Sequence, residues 1–332
     1  MTAPVDVNAT LSPSHAAGAF AIQVEGLTVR YGATAAVRDL SMHVPRGTVY
    51  GLVGPNGAGK STTLRVLATV QQADAGLVLV GGVNIQTDPE KARGRIGYLP
   101  DSSGVYEGLT TGEYLTFYGA IYGVPAHRRR QTTEELLELM GLTDRRDSPV
   151  KMLSRGMRQK LHLARCLVHN PRVLLLDEPS SGMDPPSRRD LRDILHELAR
   201  MGTTILVSSH VLQELADTCT HLGIMHAGEL LAEGAMDEMM SAVSDDISVR
   251  VDLLQADDAA AARRVLEAHD ACTTIESAGS ATLVLRFGGT RQDLAAILGQ
   301  LSAAGVRVVE FAVEQATLED VLLRALDLGG PE

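Results

Sequence analysis

Short apolar runs of strand type punctuate the first two thirds of the chain, at residues 22–24, 49–53, 77–80, 96–99, 173–176, 204–207 and 222–225, with stretches of helical period between them. This alternation predicts an α/β body. The run at 173–176 is apolar on both faces, which predicts a strand in the middle of a parallel sheet covered by helices on each side. Between residues 102 and 170 the strand signal stops, and residues 111–122, 127–140 and 154–169 all read as helices, an all-helical insertion into the α/β body. After residue 240 the order changes to strand (247–254), helix (257–269), strand (272–277), strand (281–287), helix (291–304), strand (306–313) and helix (318–327). That is the βαββαβ order of a ferredoxin-like α+β module with one extra helix. The expected organisation is a leader at 1–20, an α/β domain at 21–240 with its helical subdomain at about 102–170, and a smaller accessory domain at 241–332.

Composition narrows the class of protein. The chain has 332 residues, enough for two domains with cores of their own, and its net charge of -11 with no Trp makes it a poor candidate for gripping a nucleic-acid backbone. No window reaches the ~18 consecutive apolar residues that a membrane-spanning helix needs. No basic cluster precedes an apolar run at the N-terminus, so the chain does not read as secreted and is expected in the cytoplasm. Cys166, Cys219 and Cys272 are odd in number and lack CxxC spacing, which argues against a disulfide framework or a zinc site and for buried thiols.

Chemistry concentrates in two segments. Residues 54–62, GPNGAGKST, follow an apolar run and precede a helical one, the context in which GxxxxGK[ST] forms a phosphate-binding loop. Gly54, Gly57 and Gly59, with Pro55, Asn56 and Ala58 between them, let backbone N–H groups converge on phosphate oxygens, and the helix running from Lys60 through Thr62 points its positive end at the same charge. Lys60 is expected to reach the β- and γ-phosphates and Ser61 to coordinate Mg²⁺. The second segment, RVLLLDEPSSGMD at 172–184, ends an apolar strand in two carboxylates. Alternation along the strand gives them different tasks: Asp177 in the Mg²⁺ shell, and Glu178 beside the γ-phosphate to orient or deprotonate water.

With both segments in hand, the chain resembles the ATP-binding subunits of ABC transporters. The implied fold is a P-loop NTPase ATP-binding domain of ABC type with a helical subdomain, followed by the small ferredoxin-like domain. Residues 153–159, LSRGMRQ, match that family's LSGGQ signature at Leu153, Ser154 and Gly156 and depart from it at Arg155 and Met157. Ser154 is a good N-cap, and the resemblance implies that this helix start meets the nucleotide of a second copy in a head-to-tail pair. Residues 180–184 match the D-loop, with Asp184 crossing the dimer interface. His210, in SSH, matches the switch histidine, and Tyr31 takes the place of the aromatic that stacks on adenine. The Q-loop glutamine falls at Asp101, in RIGYLPD, where a carboxylate replaces an amide near the metal. GYLP followed by an acid, together with SRGMRQ, is similar to the type-2 exporter group, whose ATPases work with separate membrane subunits.

The resemblance therefore implies an ATP hydrolase with ATP and Mg²⁺ as ligands, integral membrane permease subunits and a second copy as partners, and a peripheral position on the inner face of the membrane. Tyr106, Leu109, Tyr114, Phe117, Tyr118 and Tyr122 lie in the helical subdomain that receives the membrane partner, although some of them are needed to fill its core. The basic cluster at 127–130 reads as a solvated helix start or a contact with lipid headgroups. The C-terminal domain offers no nucleophile with a base and no metal-ligand spacing; its tail resembles appended domains that pair or regulate in drug and sodium exporters. Two rivals stand beside this reading, a soluble ABC-type ATPase acting on ribosomes or DNA and a nucleotide-dependent binding module with little turnover. A single P-loop and the absence of sustained heptads weigh against the first, and Glu178 with His210 against the second.

Overall fold

The computed structural model describes residues 19–314, apart from 103, 105, 107, 212–214, 245 and 246. Most of the expected leader and the expected helix at 318–327 lie outside the described residues. Contacts divide the chain into two compact units that meet between Glu233 and Gly234, a few residues before the boundary expected from composition.

The first unit holds two sheets. In the six-stranded sheet the order is β10-β9-β3-β8-β7-β6, from β3 (Val49–Val53), β6 (Ile96–Leu99), β7 (Val173–Asp177), β8 (Thr204–Ser209), β9 (His221–His226) and β10 (Glu229–Ala235). Its pairs β9·β3, β3·β8, β8·β7 and β7·β6 are parallel. Every residue of β3, β7 and β8 is buried, as strands covered on both faces must be. The strand at 173–176 is indeed interior, but it lies one place from the edge strand β6 while β3 and β8 take the centre.

The runs at 22–24 and 77–80 do not join this sheet. They lie in β1 (Phe20–Tyr31) and β4 (Ala75–Val80), which build a separate antiparallel sheet of order β2-β1-β4-β5 with β2 (Thr34–Pro45) and β5 (Val83–Asn84). Strand β2 is absent from the sequence reading. Val37, Leu40, Met42 and Val44 are its buried positions, but Leu27 faces Leu40 while Val29 faces Val37, so an extra residue at the bulge breaks the period of two. Asp39 within that bulge takes a φ of +43°.

Helices α1 (Lys60–Leu67), α2 (Pro89–Arg93), α3 (Thr111–Ile121), α4 (Ala126–Leu139), α5 (Arg155–Leu167) and α6 (Pro185–Arg200) complete this unit, with α3, α4 and α5 forming the expected helical insertion. Thr110 opens α3 with a capping box to Glu113, and Ser154 opens α5 by accepting the Met157 N–H at 3.3 Å. Tyr114 is fully buried in the insertion, whereas Tyr106, Phe117 and Tyr122 keep roughly half of their surface in solvent, so the aromatics divide between core and surface.

The second unit contains α7 (Met236–Ser244), β11 (Ile247–Leu253), α8 (Ala259–Glu267), β12 (Cys272–Ser277), β13 (Thr282–Phe287), α9 (Arg291–Ala303) and β14 (Val308–Glu314). Its sheet order, β12-β13-β11-β14, is antiparallel throughout, the arrangement of a ferredoxin-like βαββαβ module. Val249, Val251, Leu283, Leu285 and Phe287 pack against Leu266, Ile297 and Leu301 to give it a core of its own. All three cysteines are free thiols; Cys166 and Cys219 are buried, and Cys272, on β12, is only partly so.

Candidate functional site

Parallel strands that run side by side end on the same edge of the sheet, and in open α/β sheets that edge is where ligands bind. Here β3 leads into residues 54–62, β7 ends in Asp177 and Glu178, and β8, which lies between them, ends in Ser208, Ser209 and His210. The register sets Val53 opposite Ser209 and Asp177 opposite Ser208. Residues more than a hundred positions apart are therefore neighbours because of strand order alone.

The loop itself depends on its glycines. Gly59 precedes α1 at a φ of +103°, and a Cβ there would stand 2.6 Å from the Ala36 carbonyl oxygen. At Gly54 a Cβ would run into the Met225 carbonyl. Lys60, the first residue of α1, is 6% exposed, and its Nζ donates to the carbonyl oxygens of Gly54 at 2.5 Å and Pro55 at 3.1 Å. The lysine thus folds over its own loop. Burial pushes its pKa below the ordinary lysine value, while the nearby Glu178 and Asp177 pull it back up.

Beyond Lys60 the network continues through Ser61, whose Oγ donates to Asp177 Oδ1 at 3.0 Å. Ser208 Oγ donates to the same oxygen at 2.7 Å. Ser61 and Asp177 bring hard oxygen donors together, a set that suits Mg²⁺ beside phosphate, and among the described residues no cluster of His, Cys, Asp and Glu forms a metal cage without such a ligand. Glu178 follows with a φ of +51°, uncommon for a residue with a Cβ, and its N–H reaches the Ser208 carbonyl at 3.2 Å and Ser208 Oγ at 3.1 Å. Its Oε2 lies 2.9 Å from His210 Nδ1, joining the two side chains.

Lys60, Ser61, Asp177, Glu178 and His210 thus converge, and Ser208 joins them without having been singled out in the sequence. Its only signal is its place in SSH at a strand end; which strand it faces is a matter of register. Gly54 and Pro55 join through Lys60, whereas among the described residues no hydrogen bond ties Tyr31, Asp101, Ser154, Gly156 or Asp184 to this network. Tyr31 is half exposed at the end of β1 and donates its O–H to Gln71 Oε1 at 2.5 Å. Asp101 is exposed in the loop after β6. Ser154 caps α5 with Gly156 buried behind it, and Asp184 stands at the N-cap position of α6.

Comparison with known proteins gives the family. The family described as ABC transporter matches residues 37–181. The daunorubicin/doxorubicin resistance ATP-binding protein DrrA of Streptomyces peucetius is 37% identical over 303 residues, covering 91% of each chain. Nod factor export ATP-binding protein I of Ralstonia nicotianae is 35% identical over 303 residues, 91% of this chain and 92% of the relative. A solved ATP-binding subunit of an ABC transporter superimposes with a TM-score of 0.61 at 29% identity, covering 67% of this chain and 92% of the other. Export and resistance proteins matched over nearly their whole length set aside the alternative of an ATPase acting on ribosomes.

Proposed function

The chain belongs to the ABC transporter family of ATP-binding subunits, in its exporter branch, and from that premise we propose that it hydrolyses ATP with Mg²⁺ to drive separate membrane permease subunits. In this reading the backbone N–H groups of residues 54–62 and the Lys60 ammonium hold the phosphates, and Tyr31 stacks on adenine. Ser61, Asp177 and the water-facing Asp101 hold the metal, which supplies charge neutralisation at the phosphoryl oxygens. Glu178 orients and deprotonates the attacking water, and His210 holds the Glu178 carboxylate in place and contacts the γ-phosphate. Ser154, Gly156 and Asp184 serve the nucleotide of a second copy in a head-to-tail pair.

The observation that carries this reading is the Glu178–His210 pair at 2.9 Å, set one residue beyond the Ser61–Asp177–Ser208 network. A carboxylate held by a histidine at the mouth of a phosphate loop is what water activation needs. Among the described residues no helix is long and apolar enough to cross a membrane, so the membrane path is assigned to permease partners and this chain to a peripheral place on the cytoplasmic face. The exposed Tyr106, Phe117, Ile121 and Tyr122 on the helical insertion are the surface assigned to that partner. The unit beginning at Gly234 is assigned an accessory, self-pairing role.

The test compares two variants in ATP binding and in turnover. Glu178→Gln is expected to keep nucleotide affinity and lose about 10²-fold or more in turnover, the usual contribution of a general base. Lys60→Ala is expected to lose affinity itself. Unchanged turnover in Glu178→Gln would remove the role given to that carboxylate, and failure of the chain to co-purify with any integral membrane protein from detergent would remove the permease.

A further inference from the structure

The first turn of α5 departs from the family signature at Arg155, an exposed side chain that lies against the loop following Glu178. Gly182, in the loop between Glu178 and α6, has a φ of +67°, and a Cβ built on it would overlap the Arg155 guanidinium group. The arginine lies across the face of the glycine where a side chain would stand. Next to it, a Cβ on Gly156 would come within 2.6 Å of Ser187 Oγ, so the second residue of α5 sits directly on the first turn of α6. One turn further along, Lys160 Nζ reaches Asp190 Oδ2 at 2.6 Å. The start of α5 therefore lies against both the loop and the first turns of α6.

That loop leaves directly from Glu178. Ser181 N–H donates to the Glu178 carbonyl and Met183 N–H to the Ser180 carbonyl, both at 3.1 Å, so the turn carrying Gly182 is bonded to the backbone of a residue at φ +51°. An arginine in the first turn of a helix opposes the helix dipole, which favours acids there, and α5 has none in that turn. The cost is offset if the planar guanidinium performs a task elsewhere.

We propose that Arg155 is a positioning residue: by lying over Gly182 it fixes the turn at residues 179–184 and, through it, the backbone conformation of Glu178. A planar, stacking group is required, which distinguishes Arg155 from a simple positive charge. The inference rests on the role given to Glu178 above, and the test separates the two.

The nucleotide-free full-length chain is followed by hydrogen exchange with mass spectrometry. Arg155→Ala is expected to speed exchange across residues 179–184 by about tenfold, within the range found when contacting residues are uncoupled, and to leave residues 54–62 unchanged. Arg155→Lys is expected to resemble Arg155→Ala. In steady-state assays Arg155→Ala is expected to lower kcat by about three- to tenfold with the KM for ATP within about twofold. Unchanged exchange at 179–184 in Arg155→Ala, or full restoration by lysine, overturns the proposal. If Glu178→Gln retains turnover, it is the reading of Glu178 that fails, and the exchange measurement still decides the contact.

Discussion

Ser208→Ala isolates the residue that tertiary structure added to the site. Ser208 is wholly buried and donates at 2.7 Å to Asp177, itself 3% exposed. A hydrogen bond to a charged group contributes about 1.5–3 kcal/mol net. Two features place the expected loss near the lower part of that range. Asp177 Oδ1 keeps the Ser61 hydroxyl at 3.0 Å, and the Glu178 N–H that Ser208 Oγ also accepts keeps the Ser208 carbonyl at 3.2 Å. A value of about 2 kcal/mol corresponds to about thirtyfold in the local opening equilibrium. Native-state hydrogen exchange of peptides covering β7 and β8 reads this directly and keeps the second unit out of the measurement. Among the described residues, the companion variant Ser209→Ala loses neutral bonds to Val211, at 3.0 and 3.4 Å, and is expected to change opening by about fivefold at most. A Ser208→Ala effect below about threefold, or one equal to that of Ser209→Ala, would show that the Asp177 bond is not what holds these strand ends.

Two further outcomes are expected. His162, 3% exposed on α5, has its pKa pushed down to about 4, first by burial and then by Arg165 and Arg158. A histidine that is harder to protonate when folded contributes stability that is present above its unfolded pKa and lost as pH falls toward the folded one. Between pH 7 and pH 5 the loss is about 2 kcal/mol; urea unfolding of the first unit at the two pH values, in wild type and His162→Gln, checks it, and an equal pH dependence in both would refute it. Asp101→Gln restores an amide at the exposed end of the β6 loop, and the wild type is expected to depend more steeply on Mg²⁺ in ATPase titrations than this variant; superimposable curves would remove Asp101 from the metal shell.

Much of this molecule is legible in the order of its residues. Residues 49–53, 173–176 and 204–207 announce themselves as strands by their short runs of Val, Leu and Ile, 173–176 being apolar on both faces, and 54–62 announces a phosphate loop because glycines, lysine and serine fall at a spacing few other structures require. Ser154 predicts its own helix start, since a cap is a local interaction between residues three apart. The βαββαβ order of the second unit reads out for the same reason: helix and strand periods are short-range properties.

What lies beyond that range belongs to the tertiary structure. Strand order, which sets β8 between β3 and β7, is decided by packing across more than a hundred residues, and with it the meeting of Ser61, Asp177 and Ser208. The bulge in β2 hid a twelve-residue strand because its period is interrupted where Asp39 turns. The left-handed backbone of Glu178 and the seat of Arg155 on Gly182 have no sequence signature either. A motif specifies which groups come together locally, while the register of parallel strands and the contact of one helix with a distant loop depend on the whole core closing around them.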